Sequence, residues 1–338
     1  MNRQPLLTVD DLRVQFWTSR GTVHAVNGIS FDVAAGDTLG IVGESGCGKS
    51  VTSLALMGIL PRAGKVTSGT AMFGDRDLFR LSDRELRRIR GRDIAMIFQD
   101  PMTSLNPVLT IGRQIREAIE THFDMSKADA NRRVAELLDQ VGIPSAEMRL
   151  KDYPHQFSGG MRQRAMIAMA LSCNPKLLIA DEPTTALDVT IQAQILDLLR
   201  ELVAEHDAAL VLITHDLGVV AGMCERVNVM YAGMFMETGT ADQVFAQPRH
   251  PYTLGLLQSV PRLDAARKTM LHPIEGNPRD MLSPPQSCPF EPRCRYAVDE
   301  SGKSVPPLEQ MEPGHKVACF NPVPVEEWKK MKEAALSG

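Results

Sequence analysis

The chain has 338 residues, of which 43% are hydrophobic and 23% charged, and its formal net charge is −4. This length favours one large α/β domain with smaller appendages, and the nearly balanced charge argues against a partner such as nucleic acid. No apolar run approaches the ~20 residues that a membrane span needs, and the N-terminus lacks the pattern of a secretory signal. We therefore expect a cytosolic chain, free to dock on a membrane protein.

The first thirty residues have the composition of two strands. Residues 6–16 and 23–33 are the two strand-like segments, and the polar turn TSRG lies between them at 18–21. An aromatic residue at the end of the first strand, Phe16 or Trp17, is a candidate stacking surface for a purine, since such stacking contributes on the order of 1 kcal/mol. An ordinary core aromatic is the alternative interpretation.

A glycine-rich segment at 43–50, GESGCGKS, fits the phosphate-loop pattern G-x-x-x-x-G-K-[ST] at every fixed position. It follows a short apolar segment, 38–42, typical of a buried strand. It precedes residues 51–60, which are long enough for a helix that stops at Pro61. A strand before the loop and a helix after it are the context that supports the pattern. The alternative is a glycine-rich turn that carries a lysine and a serine by chance.

The chemistry of such a loop predicts a role for each of its residues. Glycines let the backbone turn its N–H groups toward an anion, and the helix start adds unpaired donors and partial positive charge. Lys49 is expected to reach the β- and γ-phosphates, and the Ser50 hydroxyl to hold Mg²⁺. The candidate nucleotide-binding residues here are Gly43, Glu44, Ser45, Gly46, Cys47, Gly48, Lys49, Ser50 and Val51.

Residues 64–81 predict a hairpin-like stretch with turns at Ser68-Gly69 and at Gly74-Asp75. A capping box at 82–85 then opens a short helix that runs to Ile89. Residues 94–98 have the character of a buried strand, which ends at Gln99. A glutamine at this place can reach a metal–phosphate site, and the alternative is a loop side chain bonded to backbone.

Helical periodicity follows over residues 110–122 and 127–141, and no strand pattern appears before Ser158, so we expect a helical insertion here. The segment Ser158-Gly159-Gly160 opens another helix, with Ser158 as its N-cap. Small residues at a helix start can donate to an anion. Taken alone, however, this segment is better explained as a capping turn.

Two further segments end in polar side chains that suit catalysis. Residues 177–180 are apolar, as in a buried central strand, and lead into Asp181 and Glu182. The C-terminal ends of such strands form the edge at which α/β sheets bind ligands. Asp181 is expected to bind Mg²⁺ through water, and Glu182 to orient or deprotonate an attacking water. After a helix at 189–205, the apolar strand 209–214 ends at His215, which can bond a γ-phosphate or that water. Turn-forming acids and a structural histidine are the alternatives.

The order of these motifs resembles the ATPase subunit of an ABC transporter. Six motifs occur in the order of that family: the phosphate loop, Gln99, the SGG segment, Asp181-Glu182, ALD at 186–188 and His215. The resemblance covers about residues 6–245. The resemblance implies an α/β phosphate-loop NTPase of the ABC ATPase fold. Its parts are a RecA-like core sheet, an N-terminal antiparallel β subdomain, a helical subdomain inserted at about 106–172 and an irregular C-terminal extension. The implied domains are a nucleotide-binding domain at 1–245 and the extension at 246–338.

In that family two subunits pack head to tail with ATP between them. The resemblance therefore implies that Ser158, Gly159 and Gly160 contact ATP held by the partner, with Asp188 carrying part of the opposing contact. Because these donors would reach the nucleotide only when the two subunits close on it, ATP binding would be coupled to movement of the subunits. Met161 stands where many relatives have glutamine, which leaves the serine and glycine donors intact. Glu182, His215 and Lys49 are the implied catalytic residues, and Ser50, Gln99 and Asp181 the implied Mg²⁺ ligands.

Within the family, the chain is most similar to oligopeptide and dipeptide importer ATPases. The similarity rests on FQDPMTSLNP at 98–107, HPYT at 250–253 and CPFEPRC at 288–294. It implies work at the cytoplasmic face of the membrane with two permease subunits, an external binding protein and a second ATPase. Residues 60–66 resemble the first of two ATPase types, so we expect a heterodimer. Relatives carrying nickel, glutathione or oligosaccharides are alternatives, and a soluble ABC ATPase or a phosphate-loop kinase are rival classes.

Three cysteines of the extension resemble part of a cluster-binding pattern found in some peptide importers. Cys288, Cys294 and Cys319 fit three places of C-x5-C-x6-C-x17-C, and Ser301 occupies the remaining place. Thiolates are the usual ligands of a four-iron cluster, whereas serine is a poor one. A [4Fe-4S] cluster, a zinc site with three thiolates and a proline-braced loop with free thiols all remain open.

Overall fold

The computed structural model describes residues 4–185, 187–259 and 273–330. Its strands and helices are interspersed along the chain, as the predicted α/β class requires. The strands are β1 (Pro5–Thr18), β2 (Gly21–Ala34), β3 (Thr38–Val42), β4 (Gly64–Phe73), β5 (Arg76–Asp77), β6 (Ile94–Ile97), β7 (Leu177–Asp181), β8 (Ala209–Thr214), β9 (Arg226–Tyr231), β10 (Met234–Thr240), β11 (Glu309–Glu312) and β12 (His315–Val317).

The helices account for most of the remaining regular structure. They are α1 (Lys49–Leu56), α2 (Asp83–Ile89), α3 (Pro101–Ser104), α4 (Ile111–His122), α5 (Lys127–Gln140), α6 (Ala146–Arg149), α7 (Gly159–Leu171), α8 (Val189–Glu205), α9 (Leu217–Met223), α10 (Ala241–Ala246) and α11 (Pro251–Ser259). Short 3₁₀ turns supplement them in the loops. None of the helices in the described part of the chain combines the length and apolar character that a membrane span requires.

The chain divides into two compact units. The first consists of the start of the chain, Val33–Thr38 and Phe73–Ile213. The second consists of Thr8–Asp32, Leu39–Met72 and the residues from Thr214 onward. The carboxylate-bearing strand β7 and the helices α2 to α8 therefore belong to the first unit, and the glycine-rich loop belongs to the second.

The first unit contains three parallel strands in the order β8, β7, β6, with Ile179 paired to both Val211 and Met96. Every residue of β7 and β8 is buried, as expected for central strands of continuous apolar character. Helices α3 to α7 lie between β6 and β7 in the chain and form the predicted helical insertion. Ile115 and Ile119 of α4 and Val134 of α5 are fully buried or nearly so.

The second unit contains two sheets. Strands β2, β1 and β4 form the predicted N-terminal antiparallel sheet. The other sheet has the order β11, β12, β10, β9, β3, in which β3 and β9 are parallel and place Ile41 beside Asn228. Strands β10 and β12 pair antiparallel, with Glu237 beside Val317. The C-terminal extension is irregular over much of its length, but it contributes α11 and the pair β11–β12.

One predicted turn is wrong. The chain does not turn at Ser68-Gly69, because β4 continues through both residues to Phe73. Gly69 has a φ of 98°, and a Cβ there would lie 2.6 Å from the carbonyl oxygens of Asp10 and Asp11. The glycine therefore permits close approach of β1 rather than a reversal of the chain.

The helix after the glycine-rich loop ends earlier than predicted, at Leu56. Gly58 has a φ of 64° and its N–H donates to the Ala55 carbonyl, while the Ile59 N–H donates to the Leu54 carbonyl. These two bonds form a Schellman cap. A glycine within the apolar segment, rather than Pro61, therefore terminates α1.

A buried carboxylate connects the extension to the sheet that contains β3, β9 and β10. Glu237, on β10, is fully buried and accepts hydrogen bonds from the backbone N–H groups of Arg249 (2.8 Å) and His250 (2.9 Å). Its Oε1 also bonds His315 Nε2, on β12, at 2.7 Å. These partners offset the cost of burying the carboxylate and fix the chain just before α11.

Candidate functional site

The glycine-rich loop lies between β3 and α1, as predicted. Gly43, Gly46 and Gly48 have φ values of 156°, 79° and 112°, which side-chain-bearing residues rarely adopt. A Cβ at Gly43 would lie 2.1 Å from the Met230 carbonyl oxygen, and one at Gly48 would lie 2.4 Å from that of Ala25. Glycine is therefore required at both places by conformation and by space.

Lys49 begins α1 and its side chain turns back across the loop. Its Nζ donates to the carbonyl oxygens of Gly43 (2.8 Å) and Glu44 (2.9 Å), and the residue is only 4% exposed. Cys47 is also buried, and burial raises the pKa of its thiol. A fixed ammonium group beside a helix N-terminus is an arrangement that suits the phosphates of a nucleotide. Ser50 follows Lys49 on α1, and Ser45 and Val51 belong to the same loop-and-helix segment.

Two residues that the sequence did not predict for this loop contact Glu44. The Glu44 N–H donates to the Tyr252 hydroxyl at 2.8 Å. Arg293 forms two hydrogen bonds with the Glu44 carboxylate, at 2.7 and 3.0 Å. Both residues belong to sequence segments that support the family resemblance, HPYT and CPFEPRC. No periodicity or spacing indicates that they return to a loop more than two hundred residues away.

In the first unit, β7 ends at Asp181, which is 4% exposed, and Glu182 follows. Glu182 has a φ of 47°, which a non-glycine residue adopts at a cost of ~1–2 kcal/mol. Its N–H donates to the Ile213 carbonyl at 2.7 Å, which stabilises this conformation. Backbone strain of this kind is concentrated at functional positions.

The carboxylate of Glu182 is bound by two side chains. Gln99 Nε2 and Thr185 Oγ1 each donate to Glu182 Oε2 at 2.9 Å. The sequence predicted Gln99 and Glu182 as separate site residues, and the structure brings them together. Thr185 is a residue that sequence reasoning missed, although it lies only three positions after Glu182. The pair of donors fixes the orientation of the carboxylate.

The SGG segment forms the predicted helix start. Ser158 is the N-cap of α7, and its hydroxyl accepts the Met161 N–H at 3.3 Å. Gly159 is the first residue of α7, and a Cβ at Gly160 would lie 2.9 Å from Ile191 Cγ2, on α8. Asp188 caps α8 by accepting the Ile191 N–H at 3.0 Å. Ala186 lies outside the described residues.

Three more candidate site residues lie in the second unit. His215 is exposed and directly follows β8. Phe16 is half-buried on β1, and a Cβ at Gly64 would lie 2.5 Å from its ring, so the ring packs on the Gly64 backbone. Trp17 is 49% exposed, and the Lys65 ammonium lies 6.0 Å from the centroid of its ring. Base stacking by either aromatic residue stays a prediction.

The cysteines of the extension lie near one another. Burial raises the pKa of all three thiols, that of Cys319 to about 12, and the other two thiols add to the effect on Cys319. The Cys288 N–H donates to the Ser301 carbonyl at 2.9 Å, and the Ser301 hydroxyl accepts the Val298 N–H at 3.2 Å. Within the described residues, no group of three or more His, Cys, Asp or Glu side chains is placed to hold a metal ion.

Comparison with known proteins assigns a family to this arrangement. The family model for ABC transporters matches residues 26–185, and the model for the oligopeptide/dipeptide transporter C-terminal region matches residues 236–300. The chain is 57% identical to the oligopeptide transport ATP-binding protein OppD of Escherichia coli, covering 94% of each chain. It is 56% identical to the dipeptide transport ATP-binding protein DppD of Bacillus subtilis, covering 99% of this chain and 98% of that protein.

Solved structures give a consistent result. An ATP-binding cassette solved as a dimer with ADP and Pi, in a post-hydrolysis state, has a TM-score of 0.63 and 26% identity, covering 70% of this chain and 98% of that one. A component of an ABC transporter complex from Clostridium perfringens, cbiO1, has a TM-score of 0.61 and 30% identity, and the match covers 72% of this chain and 92% of cbiO1. The chain therefore belongs to the ABC transporter family, as an ATP-binding subunit of its oligopeptide/dipeptide transporter group.

Proposed function

We propose that this ATPase subunit powers the import of dipeptides or oligopeptides. The observation that carries the proposal is the match over nearly the whole chain, extension included, to relatives named for oligopeptide and dipeptide transport. The phosphate loop around Lys49 supports nucleotide binding. Importers of nickel, glutathione or oligosaccharides in the same group are the alternative. We also propose that residues 1–245 form the nucleotide-binding domain and residues 246–338 the extension.

The residues of this chain divide the chemistry of ATP hydrolysis among them. Lys49 and the N–H groups of the loop bind the β- and γ-phosphates, and Phe16 stacks on the adenine. Ser50, Asp181 and Gln99 offer the oxygen ligands that Mg²⁺ prefers. Bound Mg²⁺ neutralises charge on the phosphate oxygens. Such positioning and charge stabilisation provide most of the catalysis in phosphoryl transfer.

Glu182 acts on the attacking water. The water oxygen bonds to the γ-phosphorus, the bond to the β–γ bridging oxygen breaks, and Glu182 accepts the proton that the water loses. Gln99 and Thr185 support this role because both donate to the same carboxylate oxygen. His215 bonds the γ-phosphate or the water. The strained backbone at Glu182 holds the side chain at the end of β7.

The second half of the ATP contact comes from another subunit. Ser158, Gly159 and Gly160, at the start of α7, bind the γ-phosphate of ATP held by the partner, and Asp188 supports this contact. The partner is a second ATPase of the other type, so the pair is a heterodimer. The pair acts at the cytoplasmic face of the membrane on two permease subunits, which receive solute from an external binding protein.

The metal prediction for the extension is a separate question. The spacing of Cys288, Cys294 and Cys319 in the sequence is the observation behind a [4Fe-4S] cluster or a zinc ion, and a loop with free thiols is the alternative. The Ser301 hydroxyl already accepts a hydrogen bond from the Val298 N–H, and serine is a poor ligand for such a cluster. Visible absorption and metal analysis of protein purified without oxygen test this prediction. Neither result affects the assignment of the nucleotide site.

An uptake experiment tests the peptide proposal. Cells that lack this gene are complemented with the natural chain or with Glu182→Gln, and uptake of a labelled tripeptide is measured. Uptake is expected with the natural chain only, and excess unlabelled dipeptide should compete with it. Equal tripeptide uptake in both strains, or competition by nickel, glutathione or an oligosaccharide but not by peptides, would exclude the proposed substrate.

A further inference from the structure

Glu44 places a carboxylate inside a loop that binds phosphate. Its backbone and its side chain both contact the C-terminal extension, through Tyr252 at 2.8 Å and through Arg293 at 2.7 and 3.0 Å. Its carbonyl oxygen accepts a hydrogen bond from Lys49 at 2.9 Å. One residue thus connects the extension to the lysine that the phosphate loop uses.

Arg293 is held rigidly for this contact. Its side chain is 4% exposed, and its guanidinium also donates to the carbonyl oxygens of Ile274 (3.3 Å) and Glu275 (2.9 Å). The guanidinium lies 5.8 Å from the Tyr231 ring and 5.9 Å from the Phe290 ring. The two-pronged geometry with Glu44 is one that arginine provides and lysine does not.

Tyr252 is fixed as well. Its side chain is fully buried, its ring centroid lies 4.7 Å from that of Tyr231, and its N–H donates to His250 Nδ1 at 3.0 Å. The Tyr252 hydroxyl therefore has little freedom, and it constrains the orientation of the peptide group of Glu44. The loop is supported at the residue that immediately follows its first glycine.

We propose that Arg293 and Tyr252 are positioning residues for the nucleotide, acting through Glu44. This inference rests on the proposed ATPase function. Arg293 neutralises a carboxylate that would otherwise repel the triphosphate, and Tyr252 holds the Glu44 peptide group in its binding orientation. The extension is thus a structural part of the nucleotide site in addition to any other role it has.

The test compares ATP affinity and turnover in variants of the full-length chain. Arg293→Met is expected to raise the KM for MgATP roughly tenfold and to change kcat less than twofold, because a less populated binding conformation weakens apparent affinity. Arg293→Lys and Tyr252→Phe should give smaller increases. Arg295→Met is the matched control, since Arg295 is exposed in the same loop and bonds Gln258 at 3.3 Å, and it should leave KM unchanged.

A double variant separates positioning from loss of folding. Glu44→Gln removes the repelling charge, so Glu44→Gln/Arg293→Met should have a lower KM than Arg293→Met alone, and the two effects should not add. If Arg293 only stabilised the fold, Arg293→Met would lower the fraction of active protein, and hence kcat, at unchanged KM. This result would overturn the proposal. If Arg293→Met does not fold, Arg293→Lys and Tyr252→Phe decide by the same criterion.

The proposed function and this inference fail in different ways. Absence of MgATP binding by the natural chain would remove the proposed function. Normal binding by the natural chain, with the KM of all extension variants within twofold of it, would overturn only the positioning role.

Discussion

The phosphate loop and the carboxylate end of β7 achieve precise geometry by different means. The loop depends on backbone shape, because Gly43 and Gly48 occupy places where a Cβ would meet a carbonyl oxygen. The end of β7 depends on side chains, because Gln99 and Thr185 orient Glu182. In the proposed mechanism, binding of phosphate rests on conformations that only glycine adopts easily, and activation of water rests on a small polar network.

The largest expected effect concerns the ammonium group of the loop. Lys49→Ala should reduce ATPase activity by about 100-fold or more, since removing one donor from a preorganised site costs that much in other enzymes. Steady-state phosphate release measures it. Lys303→Ala is a suitable control because Lys303 lies at the surface of the extension, where its ammonium group is 3.6 Å from the Glu300 carboxylate. An active Lys49→Ala variant would remove the loop from catalysis.

The backbone side of the comparison is tested at the glycines. Gly48→Ala should destabilise the loop by about 1–3 kcal/mol and abolish most ATP affinity, since the new Cβ would meet the Ala25 carbonyl. Gly46→Ala is the matched control, because Gly46 also has a positive φ but has no atom within 4 Å of the added Cβ. Nucleotide titration and thermal unfolding compare the two. Equal behaviour would mean that space does not constrain this loop.

The side-chain part is tested at Thr185. Thr185→Val keeps the shape but removes a hydrogen bond to a charged group, which is worth about 1.5–3 kcal/mol, so kcat should fall roughly tenfold with little change in KM. Thr185→Ser retains the hydroxyl and should retain most activity. Pre-steady-state ATP hydrolysis measures the chemical step. Full activity in the valine variant would show that the Thr185 hydroxyl is not needed to orient Glu182.

The smallest effect concerns the extension that contacts the loop. Burial lowers the pKa of His250 to about 3, below its usual value of 6.5. Between pH 3 and pH 6.5, therefore, His250 is protonated in the unfolded chain but neutral in the folded one. Because the proton stabilises only the unfolded state, the free energy of unfolding falls by up to ~1.4 kcal/mol for each pH unit below about 6.5. His250→Asn, whose side-chain oxygen can replace Nδ1 as an acceptor for Tyr252, should flatten this slope in urea unfolding from pH 5 to 7.5. An unchanged slope would assign the dependence to other groups.

Local patterns predicted much of this structure. The two predicted helix caps, Ser82 and Ser158, are confirmed, and the apolar segments form buried strands. The strand, loop and helix around residues 43–50 were also predictable, because the pattern that indicates them lies within eight consecutive residues, although the carbonyl oxygens that require glycine at 43 and 48 belong to Met230 and Ala25. Gly69 was misassigned because a glycine in a turn and a glycine under a neighbouring strand look identical in sequence.

Contacts between distant residues were not predictable from the residues alone. Gln99 and Glu182 are 83 positions apart, and Arg293 and Glu44 are 249 positions apart. No helical or strand period links such pairs. Their proximity follows only from the tertiary fold, so Tyr252 and Arg293 had no assigned role beyond their place in the segments that carry the family resemblance. Glu237 and His315 were missed for the same reason.

The most direct test of the central claim is made on Glu182. Glu182→Gln keeps the shape of the side chain but removes its capacity to accept a proton. The variant should bind MgATP with near-natural affinity, and its hydrolysis rate should be lower by a factor of about 100 or more. Equilibrium binding and single-turnover hydrolysis of labelled ATP, measured on the same preparation, give both values. Retained binding with lost hydrolysis is the predicted result. Hydrolysis at the natural rate would contradict the account, because Glu182 would then not be the group that activates water.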